Sequence, residues 1–373
     1  MMEQKVIYVD KSYEELNSLL LEIQSKSILL VCDDSINYLK IRQYLSNLTA
    51  RTGINLIRFH DFSPNPCYES VVKGVEVFRV GQCDTILAVG GGSAIDVAKC
   101  IKLYSNMKMG ENYLQQPIIS NDVKLIAVPT TAGTGSEATR FAVIYYEGVK
   151  QSVFHDSCIP SVIVFDSSTL ESLPIYQKKS SMMDALCHAV ESYWSVNSTI
   201  ESKAYSAKAI QIILSCKDSY LDGDTAVNAK MLSAANCAGK AINITQTTAG
   251  HAMSYKITSL YHIAHGHSAA ICLPYIWNYM LDNPEPCADP RGNEYLKVMF
   301  RELAVHMGVD EPWSAIRLFE NILCQLELSA PVMERDSDLT ILVKSVNLLR
   351  LKNNPVALDE TTIRTLYKQI FRC

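Results

Sequence analysis

The stretch Thr85-Ile-Leu-Ala-Val-Gly-Gly-Gly-Ser-Ala-Ile-Asp-Val-Ala-Lys99 shows how the first half of the chain is organised. Its apolar start, residues 85–89, predicts a buried strand, and the three glycines lead from it directly into a helix. Glycine lets the backbone approach phosphate oxygens, and the free N–H groups at a helix start stabilise negative charge. We therefore predict a polyphosphate site at this turn. The alternative is a tight turn that needs glycine only for its backbone conformation.

Similar strand and helix signals surround this stretch. Further apolar runs with strand character cover residues 5–9, 27–32, 54–59, 124–128 and 161–165. Runs with helical spacing cover residues 12–23, 33–45 and 68–80. Alternating strands and helices, with strands that are apolar throughout, predict an α/β domain whose parallel sheet is covered on both faces.

A second loop of similar composition follows the strand at residues 124–128. It is Pro129-Thr-Thr-Ala-Gly-Thr-Gly-Ser-Glu137, rich in hydroxyl groups and small residues. Open α/β sheets bind ligands at the carboxyl ends of their strands, although such residues can also merely cap a helix. Two such loops favour a dinucleotide site over two coincidental caps.

From about residue 179 the pattern is almost entirely helical. We predict an α/β dinucleotide-binding domain over residues 1–178 and an all-helical domain over residues 179–373. The helical runs cover residues 182–195, 201–215, 224–244, 295–307, 313–326, 338–349 and 360–371.

The helical half also holds a concentration of potential metal ligands. Residues 250–274 contain four of the eight histidines of the chain. Upstream, Asp184 and His188 are four residues apart, which places both side chains on one face of a helix. With His251 and His265 they offer one oxygen and three nitrogen donors, a set that suits Fe(II) or Zn(II) better than Ca(II) or Mg(II).

Composition narrows the class of protein. The formal net charge is −5 and there is no polybasic segment, so neither nucleic acid nor anionic lipid is an expected partner. No segment has the length of apolar sequence needed for a membrane span or a signal peptide, which predicts a cytoplasmic protein. The twelve cysteines are scattered without Cys-x-x-Cys pairs and are expected to be free thiols.

Four motifs together resemble the iron-containing, or group III, alcohol dehydrogenases. They lie at residues 90–99, 129–137, 184–191 and 265–274, in the order and spacing of that family. The resemblance covers nearly the whole chain. It implies a dehydroquinate synthase-like fold, an N-terminal nucleotide-binding domain, a C-terminal helical domain, and a metal and a nicotinamide in the cleft between them. The assembly is left open, with a homodimer as one option.

Carried over residue by residue, the resemblance implies these site residues. The metal ligands are Asp184, His188, His251 and His265, and the metal is iron. The residues that contact the dinucleotide are Gly91, Gly92, Ser93, Thr130, Thr131, Thr134 and Lys150. Many members have a second histidine at the position of Tyr255, so the proton source is left among Tyr255, His267, the ribose hydroxyl and water.

Mechanistically, such a metal acts as a Lewis acid, and hydride passes between the substrate carbon and the nicotinamide. Asp33, at the end of the strand over residues 27–32, favours NAD(H) over NADP(H), because a carboxylate can accept hydrogen bonds from the ribose but repels a 2′-phosphate. Asp33 could instead only cap the following helix.

The substrate is suggested by a narrower resemblance. The run from His251 to Tyr261, His265-Gly-His267 and Thr139-Arg140-Phe141 resemble the hydroxyethylphosphonate dehydrogenase branch, which reduces phosphonoacetaldehyde. Arg140, Lys256, His267 and Tyr255 are candidates to bind its phosphonate, and Phe141 to line the substrate pocket.

Three other functions remain open. The chain could reduce uncharged short-chain aldehydes, act as a sugar-phosphate cyclase of the dehydroquinate synthase type, or only bind ligands. Steady NADH consumption with a supplied aldehyde separates a dehydrogenase from the last two, because a cyclase regenerates its cofactor.

Overall fold

The computed structural model describes residues 4–10, 12–285 and 287–372. Two compact units make up the chain. The first extends to Pro174 and includes Gly223–Leu232, and the second comprises Ile175–Asp222 and the chain from Ser233 onwards. The boundary predicted at residue 178 falls in the first turn of the helix that opens the second unit.

A six-stranded parallel sheet forms the centre of the first unit. The strands of this unit are β1 Lys5–Tyr8, β2 Ser27–Val31, β3 Asn55–Phe59, β4 Thr85–Gly90, β5 Lys124–Pro129, β6 Phe141–Tyr146, β7 Val149–Phe154 and β8 Val162–Phe165. Six of them pair in the order β1-β8-β5-β4-β2-β3, each with its neighbour in parallel. The parallel sheet predicted from the apolar runs is confirmed.

Both faces of this sheet are covered. The helices of this part are α1 Glu14–Glu22, α2 Ile41–Ser46, α3 Leu48–Thr52, α4 Tyr68–Val80 and α5 Gly92–Tyr104. Ile28 and Leu30 of β2 belong to one apolar core with residues of α1 to α3. Leu29 and Val31, which point the opposite way, belong to a second core with residues of α4 and α5. Burial on both faces explains why these strands are apolar throughout.

The strand order reverses direction between β2 and β4. From β2 the chain runs outward to β3, and then it returns to the other side of β2 to form β4, followed by β5. Open α/β sheets bind ligands at such a switch point, beyond the carboxyl ends of the strands. Asp33 follows the end of β2, and the glycine turn ends β4, so two of the predicted cofactor segments lie at this point.

The continuous helix predicted over residues 33–45 is wrong. A 3-10 turn spans Asp34–Tyr38, and α2 begins only at Ile41. Between them Leu39 is extended, with ψ 142°, and its side chain is buried. Burial of this leucine in the core outweighs the helical spacing of the sequence.

Sequence reasoning also missed the hairpin formed by β6 and β7, an antiparallel pair apart from the main sheet. Glu147 and Gly148 connect the strands, both with positive φ, at 50° and 74°. Two such residues make the turn that matches strand twist in tight hairpins. Aromatic and β-branched residues on both sides of Glu-Gly were the signal that could have found it.

The second unit is helical, as predicted. The helices from residue 175 onwards are α6 Ile175–Trp194, α7 Ile200–Leu221, α8 Asn228–Thr245, α9 Ala249–Tyr261, α10 His265–Asp282, α11 Asn293–His306, α12 Pro312–Gln325, α13 Asp336–Lys344, α14 Leu348–Leu351 and α15 Glu360–Phe371. The eleven cysteines that the structure describes are free, in agreement with the predicted thiols.

Candidate active site

Three of the four predicted metal ligands converge in the second unit. Asp184 and His188 project from one face of α6, one turn apart, and His251 lies in the first turn of α9. One ligand atom of each lies within 4.8 Å of those of the other two. All three side chains are buried, with relative exposures of 3%, 5% and 1%.

The chemistry of this cluster fits a metal ion. Oδ1 of Asp184 and Nε2 of His251 are 3.5 Å apart, and both are buried without a hydrogen-bond partner in the described part of the chain. Polar atoms buried in this way are costly unless something satisfies them. A divalent cation would satisfy both at once, and a carboxylate with imidazoles is a donor set for Fe(II) or Zn(II).

The acidic and imidazole groups of the cluster shift one another's pKa values. Burial would raise the pKa of Asp184, but the neighbouring His188, His251 and His265 hold it below its usual range. Burial disfavours a charged His251, but the carboxylates of Glu191 and Asp184 outweigh this effect and raise its pKa to about 10. The carboxylates therefore make the cluster attractive to a positive charge.

His265, the fourth predicted ligand, begins α10 and lies beside this group. Its ring centroid is 5.3 Å from that of His251, and it is not among the three residues that converge within 4.8 Å. Tyr255 stacks on His265, with its ring 5.5 Å from that of His265 and only 7° from parallel. Tyr255, a predicted proton donor, is therefore in contact with a predicted ligand.

Close helix packing brings His265 to this place. A Cβ on Gly266 would lie 2.6 Å from Cβ of Asp184 and closer still to the carbonyl oxygen of Ser180. Only glycine allows the start of α10 to approach α6 so closely.

His267, a predicted catalytic residue, has both ring nitrogens engaged. Nε2 lies 2.9 Å from the carbonyl oxygen of Ser329, to which it must donate. Nδ1 is then the acceptor for the hydroxyl of Tyr176 at 3.1 Å, and that hydroxyl accepts from the N–H of Ala264. Burial lowers the pKa of His267. These contacts tie the start of α10 to α6 and to the chain at residue 329.

The glycine turn at residues 90–92 and the loop at residues 129–137, the two predicted dinucleotide-binding loops, lie side by side in the first unit. Gly90 and Pro129 are partners in the sheet register, and the N–H of Thr130 donates to the carbonyl of Gly90 at 3.1 Å. A Cβ on Gly92 would lie 2.9 Å from Cγ2 of Thr134, and one on Gly91 would lie 3.4 Å from Cγ2 of Thr131. Ser93 is in the first turn of α5, whose N-terminal N–H groups can receive an anion.

The remaining predicted residues occupy different places. Asp33 accepts a hydrogen bond from the N–H of Ser35 at 2.8 Å, so it does cap the following turn. Phe141 and Lys150 belong to the β6–β7 hairpin.

The two basic candidates for substrate binding lie on different elements. Arg140, just before that hairpin, forms an ion pair with Asp156 at 2.9 Å. Lys256 is half-buried on α9, next to Tyr255.

Several polar residues that support these sites were missed from the sequence. Asp96 and Lys99 of α5 form a network with Ser136 of the loop at residues 129–137. Glu191, fully buried on α6, contacts His251. Charged residues within apolar helical runs, as in Ala-Ile-Asp-Val-Ala-Lys, were the signal that could have found the first pair.

Comparison with known proteins gives a consistent result. Residues 3–167 match the family described as iron-containing alcohol dehydrogenase, and residues 178–371 match the C-terminal region of the Fe-containing alcohol dehydrogenase family. Phosphonoacetaldehyde reductase from Streptomyces viridochromogenes is 30% identical over 322 residues, 82% of this chain and 80% of that protein. Long-chain-alcohol dehydrogenase 1 from Geobacillus thermodenitrificans is 31% identical over 263 residues, 69% of this chain and 67% of that protein.

Solved structures agree with the sequence relatives. The iron-containing alcohol dehydrogenase of Thermotoga maritima superposes with a TM-score of 0.86 at 25% identity, covering 100% of this chain and 99% of that one. Longer aldehyde-alcohol dehydrogenases also match, and this chain spans 29 to 31% of their length.

A parallel sheet with glycine-rich loops at its strand ends, together with a buried carboxylate–histidine cluster, is typical of α/β enzymes that use a nucleotide and a metal ion. The chain belongs to the iron-containing alcohol dehydrogenase family and is an oxidoreductase. Among the helices that the structure describes, none combines the length and the apolar character needed to cross a bilayer.

Proposed function

We propose that this chain is a metal-dependent aldehyde reductase that uses NADH to reduce phosphonoacetaldehyde to 2-hydroxyethylphosphonate. The buried cluster of Asp184, His188 and His251 is the observation that carries the reductase assignment. The similarity to a phosphonoacetaldehyde reductase over 82% of the chain supports the choice of substrate. In the reaction one hydride and one proton are added to the aldehyde, and NADH becomes NAD⁺.

The second unit supplies the residues for the metal. Asp184, His188, His251 and His265 would hold Fe(II), with Zn(II) as the alternative that fits the same donors. When bound, such an ion polarises the carbonyl of the aldehyde. Burial of the ligands keeps water away from their donor atoms, and the close packing at Gly266 holds His265 beside them.

The first unit supplies the residues for NAD(H). The start of α5, with Gly91, Gly92 and Ser93, is suited to the pyrophosphate, and Thr130, Thr131 and Thr134 border the same place. Asp33 lies at the switch point of the sheet, where its carboxylate can accept hydrogen bonds from a ribose while it also caps the next turn. Lys150, on strand β7 of the hairpin, is the last of the residues predicted to contact the dinucleotide.

Tyr255 is the better of the two proposed proton donors. Both ring nitrogens of His267 are occupied by Tyr176 and Ser329, so its proton is already committed to a carbonyl oxygen. Tyr255 stacks on His265 and is only half-buried, so its hydroxyl belongs to a side chain in direct contact with the metal site. A phenol can donate a proton to an alkoxide during reduction.

Lys256 is the better of the two cationic candidates for the phosphonate. Arg140 already forms an ion pair with Asp156. Lys256 follows Tyr255 on α9, the helix that also carries His251. An ammonium group paired with a phosphonate oxygen makes a charge-assisted hydrogen bond.

The test compares NADH oxidation with phosphonoacetaldehyde, propionaldehyde and lactaldehyde. The wild type should show the highest kcat/KM with the phosphonate. Lys256→Met should lower that kcat/KM roughly 10- to 100-fold, the value of one hydrogen bond to a charged group, and leave propionaldehyde unchanged. Lys297→Met, which removes an exposed lysine paired with Glu294, is the matched control and should change neither.

Two results would contradict the proposal. If the phosphonate has no advantage over propionaldehyde, the substrate is wrong and reduction of uncharged aldehydes is the function. If no aldehyde sustains NADH consumption, the function is that of a cyclase or a binding protein instead of a reductase.

The cytoplasmic location and the option of a homodimer, both drawn from the sequence, stay predictions.

A further inference from the structure

Glu191 lies one helical turn after His188 on α6 and is fully buried. Its Oε1 accepts hydrogen bonds from the hydroxyl of Thr248 at 3.0 Å and from the backbone N–H of His251 at 3.1 Å. Its Oε2 contacts Nδ1 of the His251 ring. A buried carboxylate with this many donors has a defined orientation, because each oxygen already has a partner on α9 or at its start.

The same carboxylate caps α9. The N-cap residue of this helix is Thr248, whose side chain makes no capping hydrogen bond to the helix. Glu191 instead receives the N–H of His251 in the first turn and places negative charge at the helix N-terminus. Both effects stabilise the start of a helix. The backbone and the ring of His251 are therefore held by a single side chain.

We propose that Glu191 is a positioning residue, which holds His251 as the tautomer with its proton on Nδ1 and thereby directs the lone pair of Nε2 to the metal. The proposal rests on the metal site of the proposed function, and it is independent of the substrate. Nδ1 must donate to Oε2, because an ionised carboxylate can only accept. Nε2 is then the ring nitrogen left to bind the metal in place of a proton, and it lies 3.5 Å from Oδ1 of Asp184.

Gly250 provides the space for this carboxylate. A Cβ at this position would clash with Oε1 of Glu191 and lie 2.8 Å from Cδ1 of Leu273. Alanine is otherwise better than glycine inside a helix, so the absence of a side chain here serves the approach of Glu191.

The substitution Glu191→Gln tests the contact with His251 most directly. Its amide keeps the size of the carboxylate, but one of its two terminal atoms is an NH₂ donor. If NH₂ faces Nδ1, the ring proton must move to Nε2 and block the metal. If NH₂ faces the backbone N–H of His251, two donors oppose each other and the cap is lost. Either arrangement weakens the metal site.

The experiment measures the affinity of the purified protein for Zn(II) alone, by competition with a chromogenic chelator. Glu191→Gln should weaken Zn(II) binding about 10- to 100-fold, the usual effect of losing a partner of a metal ligand. Gly250→Ala should cause the same defect while Glu191 is retained, because its Cβ pushes the carboxylate away from His251. The control is Tyr367→Phe, which removes one buried hydrogen bond to α9, from its hydroxyl to the carbonyl of Met253 at 2.7 Å. It should bind Zn(II) within about threefold of the wild type.

Thermal unfolding of the metal-free proteins accompanies the titration, and all should unfold cooperatively. The proposal is overturned if Glu191→Gln and Gly250→Ala bind Zn(II) like the wild type, or if Tyr367→Phe loses as much affinity as they do. If Glu191→Gln does not fold, Gly250→Ala decides alone. A wild type that binds no Zn(II) also overturns it. Failure of the phosphonate assay with intact Zn(II) binding affects only the proposed substrate.

Discussion

Replacement of Lys99 by methionine tests how the first unit holds the predicted dinucleotide-binding loop at residues 129–137. Lys99 has no exposed surface. Its ammonium group donates to Oγ of Ser136 at 3.0 Å, to Oγ1 of Thr139 at 3.1 Å and to the carbonyl of Phe141 at 2.6 Å. It also lies 3.9 Å from Oδ1 of Asp96. Burial lowers the pKa of Lys99, and the Asp96 carboxylate opposes that effect.

Asp96 shares this network from the same helix. Its Oδ1 accepts from the hydroxyl of Ser136 at 2.6 Å, and its Oδ2 accepts from the N–H of Val143 at 2.9 Å. Lys99→Met fills similar space but leaves three acceptors and a carboxylate without their cation. Loss of one partner from a buried pair costs about 3 to 5 kcal/mol. Because the Asp96 side chain is 15% exposed, we expect the low end, about 3 kcal/mol.

The assay is urea unfolding followed by far-UV circular dichroism, with NADH binding measured by fluorescence. NADH should bind more weakly, because the network holds Ser136 next to Thr134. Lys102→Met is the matched control. Lys102 is also buried on α5, but its ammonium group donates no hydrogen bond within the described part of the chain, so the cost should stay below about 1 kcal/mol.

A double-mutant cycle refines the test. Asp96→Asn removes the carboxylate that Lys99→Met would leave buried without its cation. The double variant should therefore lose at least about 1 kcal/mol less free energy of unfolding than the sum of the two single variants. The reasoning is refuted if Lys99→Met costs no more than Lys102→Met, or if the two single effects simply add.

Three further predictions concern other contacts. Gly266→Ala should destabilise the protein by about 1 to 3 kcal/mol in urea unfolding and weaken Zn(II) binding, because its Cβ would meet Asp184; unchanged stability would contradict the close packing. Tyr176→Phe removes the hydroxyl that donates to His267 and should cost about 1 kcal/mol in the same assay, and no loss would show that this contact is dispensable. Asp33→Gly should reduce the preference for NADH over NADPH in kcat/KM, and equal use of both cofactors by the wild type would defeat the idea.

Local patterns in the sequence were sufficient for the six strands of the parallel sheet and for most helices. The run from Thr85 to Val89 is apolar throughout because both faces of β4 are covered, and the glycines after it mark the turn at the carboxyl end of that strand. The spacing of Asp184 and His188 already placed them on one helix face. Such properties depend on neighbours within a few residues, which is why periodicity and glycine positions predict them.

The tertiary structure alone decided which distant residues meet. Leu39 is extended because the core requires its side chain, against the helical spacing of the chain around it. Glu191 reaches His251, sixty residues away, only because α6 packs against the start of α9. The strand order that places Asp33 near the glycine turn is likewise a matter of pairing between distant segments. These contacts depend on burial and shape across the whole unit, and no local pattern of residues encodes them.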